Sequence, residues 1–157
     1  MEYIWAPWRG AYIDSKKPEG CILCDKPRED NDPANLILFR GALNYIMLNA
    51  YPYNPGHVMV IPFRHVSTPE DLTPEELREH AEIVAHAVQA LRGIYNATGF
   101  NTGMNIGRVA GAGIDAHIHS HIVPRWQGDS NFMPVIGDTK VIPQALAETY
   151  EKLKGAF

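Results

Sequence analysis

The sequence has no apolar run approaching the roughly 18 residues that a membrane-crossing helix needs. No membrane partner is expected for its 157 residues. It has no surplus of positive charge either. Fourteen Lys and Arg face 18 Asp and Glu, a formal net charge of -4. No general nucleic-acid field follows from that balance, so no nucleic-acid partner is expected, and an anionic ligand must be met by local donors. Met1 to Gly20 holds Trp5, Pro7, Trp8, Arg9 and Asp14 but no continuous apolar core of a secretory signal. A cytoplasmic protein is the expectation. Internal repeats, low-complexity tracts and linkers are also missing, and the length favours one domain over residues 1–157. An aromatic arm is expected over 1–20, a core over 21–125, and a loop and helix over 126–157. Hydrophobic content of 45% and charged content of 20% place the chain among ordinary globular proteins.

Against that background one stretch stands out, His117-Ile118-His119-Ser120-His121-Ile122-Val123. Alternation reads as a β-strand, with residues i, i+2 and i+4 on one face about 6.6 Å apart. On that reading the three imidazoles project together, and Ile118, Ser120 and Ile122 point the other way. Ordinary core or surface placement accounts for one such ring better than for three in register. Two functional readings compete. Neutral imidazole is a metal ligand, yet the outer rings of an extended strand stand too far apart to share one ion. Neutral imidazole is also a nucleophile that forms covalent intermediates, with neighbouring rings orienting it and supplying protons. No carboxylate pair lies near the stretch to argue for glycosidase or two-metal chemistry.

The rest of the chain supplies candidates. Cys21 and Cys24, the two cysteines, form a C-x-x-C. Loop residues follow, among them Pro27 and Pro33, so half a tetrahedral metal site completed by histidines fits better than a thioredoxin-like motif. Two reduced cysteines without a metal remain the plain alternative. Short strands are expected at Leu36–Phe39, Leu43–Asn49 and His57–Ile61, the last stopping at Pro62. Thr73-Pro74-Glu75-Glu76 reads as a capping box. Leu77, Ala81, Val84, Val88, Leu91 and Tyr95 predict the apolar face of a helix running to about residue 97 and ended by Gly99. His80 and His86 read as surface or boundary residues on it. A strand is expected over Phe100–Ile106, then a glycine-rich loop, Gly107 to Gly113, whose backbone amides can approach an anion. Asp115 reads as a loop or edge residue. Pro124 ends the histidine strand, and a helix over Pro143–Lys154 closes the chain. The order of elements predicts an α+β fold with an antiparallel sheet.

Several separated motifs now agree. Pro55-Gly56-His57-Val58-Met59-Val60-Ile61-Pro62, Asn105 before the glycine-rich loop, and His117 to Pro124 resemble the histidine-triad (HIT) family of nucleotide hydrolases and transferases. Tyr51-Pro52-Tyr53-Asn54, Pro124-Arg125-Trp126-Gln127-Gly128-Asp129-Ser130-Asn131-Phe132 and Trp5-Ala6-Pro7-Trp8-Arg9 resemble its bacterial diadenosine tetraphosphate phosphorylases. The resemblance implies a HIT-like fold with about five antiparallel strands, one long central helix and a C-terminal helix. It implies cleavage of a dinucleoside polyphosphate or related nucleotide at the α-phosphate, with His119 as nucleophile and a nucleotidyl-histidine intermediate. His121 would contact the phosphate, His57 would help hold the catalytic rings, and His117 stands with them as a catalytic residue. Asn49 matches a ribose contact and Asn105 a residue near the phosphates, with Gly111, Ala112 and Gly113 as amide donors. No cofactor is implied for catalysis. Some HIT proteins bind a structural zinc through a C-x-x-C and two histidines, and Cys21, Cys24, His65 and His117 stand at the matching positions. A homodimer paired through the long helix and sheet edge is implied as well. One departure weighs on the substrate. Many members carry Gln-Ser or Gln-Thr where this chain has Gly113 and Ile114, so a hydroxyl that assists the leaving group is missing. That loss supports the alternative of a nucleotide-binding regulatory protein with little turnover. A metal-dependent hydrolase using the triad is a third reading.

Overall fold

The computed structural model describes residues 20–129 and 143–157. The aromatic arm, with Trp5 and Trp8, and the stretch Ser130-Asn131-Phe132 lie outside the described residues. Five strands form one sheet: β1 (Ile37–Arg40), β2 (Asn44–Leu48), β3 (Val58–Pro62), β4 (Gly99–Met104) and β5 (Ser120–Arg125). Their order is β1-β2-β3-β5-β4 and every pairing is antiparallel. Helices are α1 (Ile22–Asp25), α2 (Asp32–Asn35), the long α3 (Pro74–Tyr95) and the C-terminal α4 (Leu146–Leu153).

The period of two sorts the strands into two faces. Ile46, Leu48, Val58, Val60 and Ile122 meet Ile83, Ala87 and Leu91 of α3 and Leu153 of α4 in the main core. Tyr45, Met47, Met59 and Ile61 turn to the opposite face, where they pack with Leu23 and Ile37. His57, His119 and His121 are in phase with this second face, the one α3 does not cover.

Helix α3 begins where its sequence asks. Thr73 accepts from the Glu76 amide at 3.2 Å, and the Glu76 carboxylate accepts from the Thr73 amide at 2.8 Å. Two readings of this helix are corrected. Its end comes at Tyr95, where Asn96 takes the left-handed conformation (φ 49°), ahead of Gly99. Its fully buried positions are Glu76, His80, Ile83, Ala87 and Leu91. Of the expected apolar face Leu91 is buried, Val84, Val88 and Tyr95 pack half-buried against the core, and Leu77 and Ala81 are exposed. Leu77 is 42% exposed. Polar partners decide this one-residue turn of the face. Glu76 is held by Arg64 and the Thr73 amide, and His80 by two buried groups, so both bury at lower cost than unpartnered polar side chains.

Strand limits also differ. Leu36 sits in the left-handed region (φ 60°) as the cap of α2, so β1 starts one residue later. Cys21 to Asn35 holds the short turns α1 and α2 rather than plain loop, with Asn31 capping α2. Pro62 closes β3 as expected, whereas Pro124 lies one residue inside the strand it was expected to end. Pro124 is tolerated because β3 pairs β5 only across Ser120–Ile122, leaving no ladder partner that needs its N–H. The histidine strand itself becomes regular at Ser120, not at His117. Helix α4 starts at Leu146, later than Pro143.

Candidate active site

His119 is buried and its Nδ1 lies 2.8 Å from the His117 carbonyl. A carbonyl only accepts, so Nδ1 carries the proton and donates. The lone pair of His119 is therefore on Nε2. Burial lowers the pKa of His119 from the ordinary histidine value, which keeps the ring neutral near pH 7. A neutral ring with one committed nitrogen is a nucleophile of fixed orientation.

His121 follows by similar logic. The Tyr53 amide donates to His57 Nδ1 at 3.0 Å. His57 Nδ1 therefore accepts, and its proton is on Nε2. That Nε2 lies 3.0 Å from His121 Nδ1, which must accept in turn. The proton of His121 is left on its own Nε2. Burial, and then the neighbouring His119, push His121 down to about 4, so the neutral form prevails above that. The rings of His119 and His121 meet edge to face with centroids 4.9 Å apart. A nitrogen lone pair and an N–H donor thus sit side by side. Asn49 lies against His57, its Nδ2 3.5 Å from both ring nitrogens, at the limit of a hydrogen bond. Gly56, just before His57, has φ 76°, and a Cβ there would meet the Tyr95 ring at 2.9 Å. Glycine is required on both counts.

His117 has different partners from the other two rings. Its Nε2–H donates to the Pro62 carbonyl at 2.8 Å. Its Nδ1 then turns a lone pair to Cys21 Sγ at 3.3 Å and Cys24 Sγ at 3.4 Å. Cys24 Sγ is 3.3 Å from His65 Nδ1. Ligand atoms of the four residues all lie within 4.8 Å of one another. Sulfur and nitrogen on one tetrahedral zinc stand roughly 3.5 Å apart, given Zn–S near 2.3 Å and Zn–N near 2.0 Å. The donor set therefore fits a Cys2His2 metal site, and the Pro62 carbonyl holds the His117 ring as outer partners of metal-binding histidines do. Burial and the Cys21 thiol push Cys24 up to about 11, a preference that a bound cation reverses.

His80 was expected at the surface or its boundary and is instead buried. Its Nδ1 is 2.8 Å from Asn44 Oδ1, and its Nε2 is 2.7 Å from Ser120 Oγ. The amide oxygen only accepts, so Nδ1 donates and the Ser120 hydroxyl donates to Nε2. Asn44 is fixed by donating to Glu79. This line crosses the core and ends on the residue between His119 and His121. A lone helical histidine carried no signal of it. His86 is exposed, as expected, between Phe39 and Phe157.

The glycine-rich loop is a tight turn. The Gly111 amide donates to the Arg108 carbonyl at 2.9 Å and the Ala112 amide to Gly107 at 3.4 Å. Those two donors are engaged within the loop rather than turned outward for an anion, as the sequence reading had them. Asp115 is in the loop and pairs with Arg108 at 2.7 Å. Asn105 lies half-buried just beyond β4.

An antiparallel sheet in which His57, at the head of β3, bonds His121 of β5 while His119 lies against His121 defines a class, and comparison with known proteins agrees. The HIT domain family matches residues 30–128. The chain belongs to the HIT family. It is an AP-4-A phosphorylase-like enzyme of that family, being 40% identical over 157 residues to the AP-4-A phosphorylase of Mycobacterium tuberculosis, across 95% of this chain and 80% of that protein. Among solved structures it is similar to a Zn-bound histidine triad family protein from Mycobacterium smegmatis. That match has a TM-score of 0.64 and 26% identity, over 77% of this chain and 82% of the other. It is also similar to a hypothetical histidine triad nucleotide-binding protein from Sulfolobus tokodaii, with a TM-score of 0.66 and 26% identity over 87% and 88%.

Proposed function

We propose that this chain cleaves dinucleoside polyphosphates at the α-phosphate through a nucleotidyl-His119 intermediate. The observation that carries the reading is the pair of fixed tautomers, a lone pair on His119 Nε2 beside an N–H on His121 Nε2. In the first step the P–N bond to His119 forms as the P–O bond to the leaving nucleotide breaks. The ring becomes cationic, and its Nδ1–H bond to the His117 carbonyl strengthens with that charge. His121 donates to a non-bridging phosphate oxygen, where charge must be stabilised. In the second step water or phosphate attacks phosphorus and releases His119 as it was. His57 keeps His121 in its donating tautomer.

Asn49 and Asn105 are proposed as ribose and phosphate contacts. Gly111, Ala112 and Gly113 are proposed to flank the phosphates, with less amide donation from the first two than the sequence suggested. Zinc, when bound, would be held by Cys21, Cys24, His65 and His117 and would supply structural anchorage alone. A cytoplasmic, single-domain homodimer completes the proposal. The half-exposed Leu77 on α3 and the edge strand β4 support pairing, and a single-chain mass by light scattering would reject it.

The test is a panel of dinucleoside polyphosphates and AMP derivatives, with and without inorganic phosphate. Nucleoside diphosphate formed only with phosphate identifies a phosphorylase, and monophosphate formed without it a hydrolase. Gly113 and Ile114, in place of a hydroxyl-bearing pair, favour a second reading as a nucleotide-binding regulator. Tight binding with no turnover across the panel would select that one.

A further inference from the structure

Two motifs far apart in sequence prove to be each other's partners. Asn54 is buried in the turn before His57, and its Nδ2 donates to Asp129 Oδ2 at 2.9 Å and to the Pro124 carbonyl at 2.9 Å, across 75 and 70 residues. Both amide protons are used. Asp129 Oδ2 also accepts from Arg125 Nε at 2.6 Å and from the Trp126 amide at 3.1 Å. Arg125 reaches on to Asn101 of β4 at 2.6 Å. Trp126 Nε1 donates to the Tyr95 carbonyl at the end of α3. The end of β5 and the turn before β3 are thus riveted at one carboxylate.

That turn carries the group on which the tautomer chain depends. The Tyr53 amide, next to Asn54, is the donor to His57 Nδ1. The Asn54 carbonyl accepts from the His57 amide at 3.2 Å. Tyr53 also lays its ring over His57, centroids 4.7 Å apart. A loop amide is a donor of fixed sense only while the loop is held.

We propose that Asn54 and Asp129 are positioning residues that set which nitrogen of His57, and through it of His121, carries the proton. With the rivet in place, Tyr53 donates, His57 passes its proton side to His121, and His121 presents Nε2–H outward. With the rivet broken, His57 Nδ1 loses its obligatory donor and both rings can take either tautomer. The consequence for rate rests on the phosphate-cleavage reading above; the tautomers do not.

The experiment is a long-range proton–nitrogen NMR spectrum of the histidine rings in wild type, Asn54→Ala and the milder Asp129→Asn, with kcat and KM measured on the same samples. Wild type should show His57 and His121 each as a single Nε2–H tautomer. Either variant, folded by its amide spectrum, should show mixed tautomers at both rings. Its kcat should fall at least about tenfold with KM little changed, since misplacing a reacting group costs rate more than binding. Single tautomers persisting in folded Asp129→Asn and Asn54→Ala would overturn the proposal, as would mixed tautomers in wild type. Wild type with the expected spectrum and no turnover on any nucleotide would sink the functional reading and leave the rivet standing.

Discussion

His119 offers a lone pair on Nε2 because its Nδ1 proton is committed to the His117 carbonyl. His117 thereby serves two neighbours, its carbonyl facing His119 and its ring facing the thiols. The spacing of the three histidines was legible in the sequence because alternation in a strand is a strong pattern. The contact of the His117 ring with the thiols was not legible from alternation, since Cys21 and Cys24 lie more than 90 residues away. Of the four metal-site residues, Cys21 and Cys24 were legible from their spacing, while His65 and His117 were named with the resemblance, as no local pattern joins His65 to Cys24 across 41 residues. At this scale the prediction concerns zinc. Purified wild type should carry about one zinc per chain, and Cys21→Ser with Cys24→Ser should carry none. Chelation should lower Tm more than it slows turnover, because the site anchors the chain and holds no reacting group. Elemental analysis decides, and zinc-free reduced wild type after zinc is supplied would reject the site.

Helix α3 was read correctly as an element and only in part as a face. Its start was legible, because a Thr-Pro-Glu-Glu capping box is a local signal. Its buried face was less so, because apolar periodicity favoured Leu77 and Ala81 over Glu76 and His80, whose partners lie far along the chain. His80 bonds Asn44 and Ser120, 36 and 40 residues away. Burial pushes His80 down from 6.5 to about 4. The folded value is depressed, so between those values the unfolded chain binds more protons. Stability from this group is complete above about pH 6.5 and is lost as pH falls toward 4. Denaturant melts of wild type and His80→Gln should show it. The variant should be less stable at pH 7, by about 1–3 kcal/mol for a disturbed buried hydrogen-bond line. Its stability should also fall less steeply over the acid window. Parallel slopes would mean that His80 is not held neutral in the fold.

At the scale of the whole molecule the sheet explains the site. The order β1-β2-β3-β5-β4 sets β3 beside β5 and so brings His57 to His121. Antiparallel α+β architecture followed from the order of elements alone. Which strands neighbour which did not, because pairing of β3 with β5 joins segments more than 50 residues apart and leaves no periodic trace. Asn54 and Asp129 belong to the same gap: each reads as a turn residue, and only the assembled sheet makes them partners. One face of that sheet is used for the core with α3, and the other carries a smaller core beside the histidines. The central claim is that His119 bonds to phosphorus. Wild type mixed with a dinucleoside polyphosphate, quenched in denaturant at alkaline pH where a P–N bond survives and weighed intact by mass spectrometry, should carry a nucleoside monophosphate adduct that peptide mapping places on His119. His119→Asn should bind nucleotide, form no adduct and turn over none. Full turnover in His119→Asn, or an adduct mapped to another residue, would contradict the account.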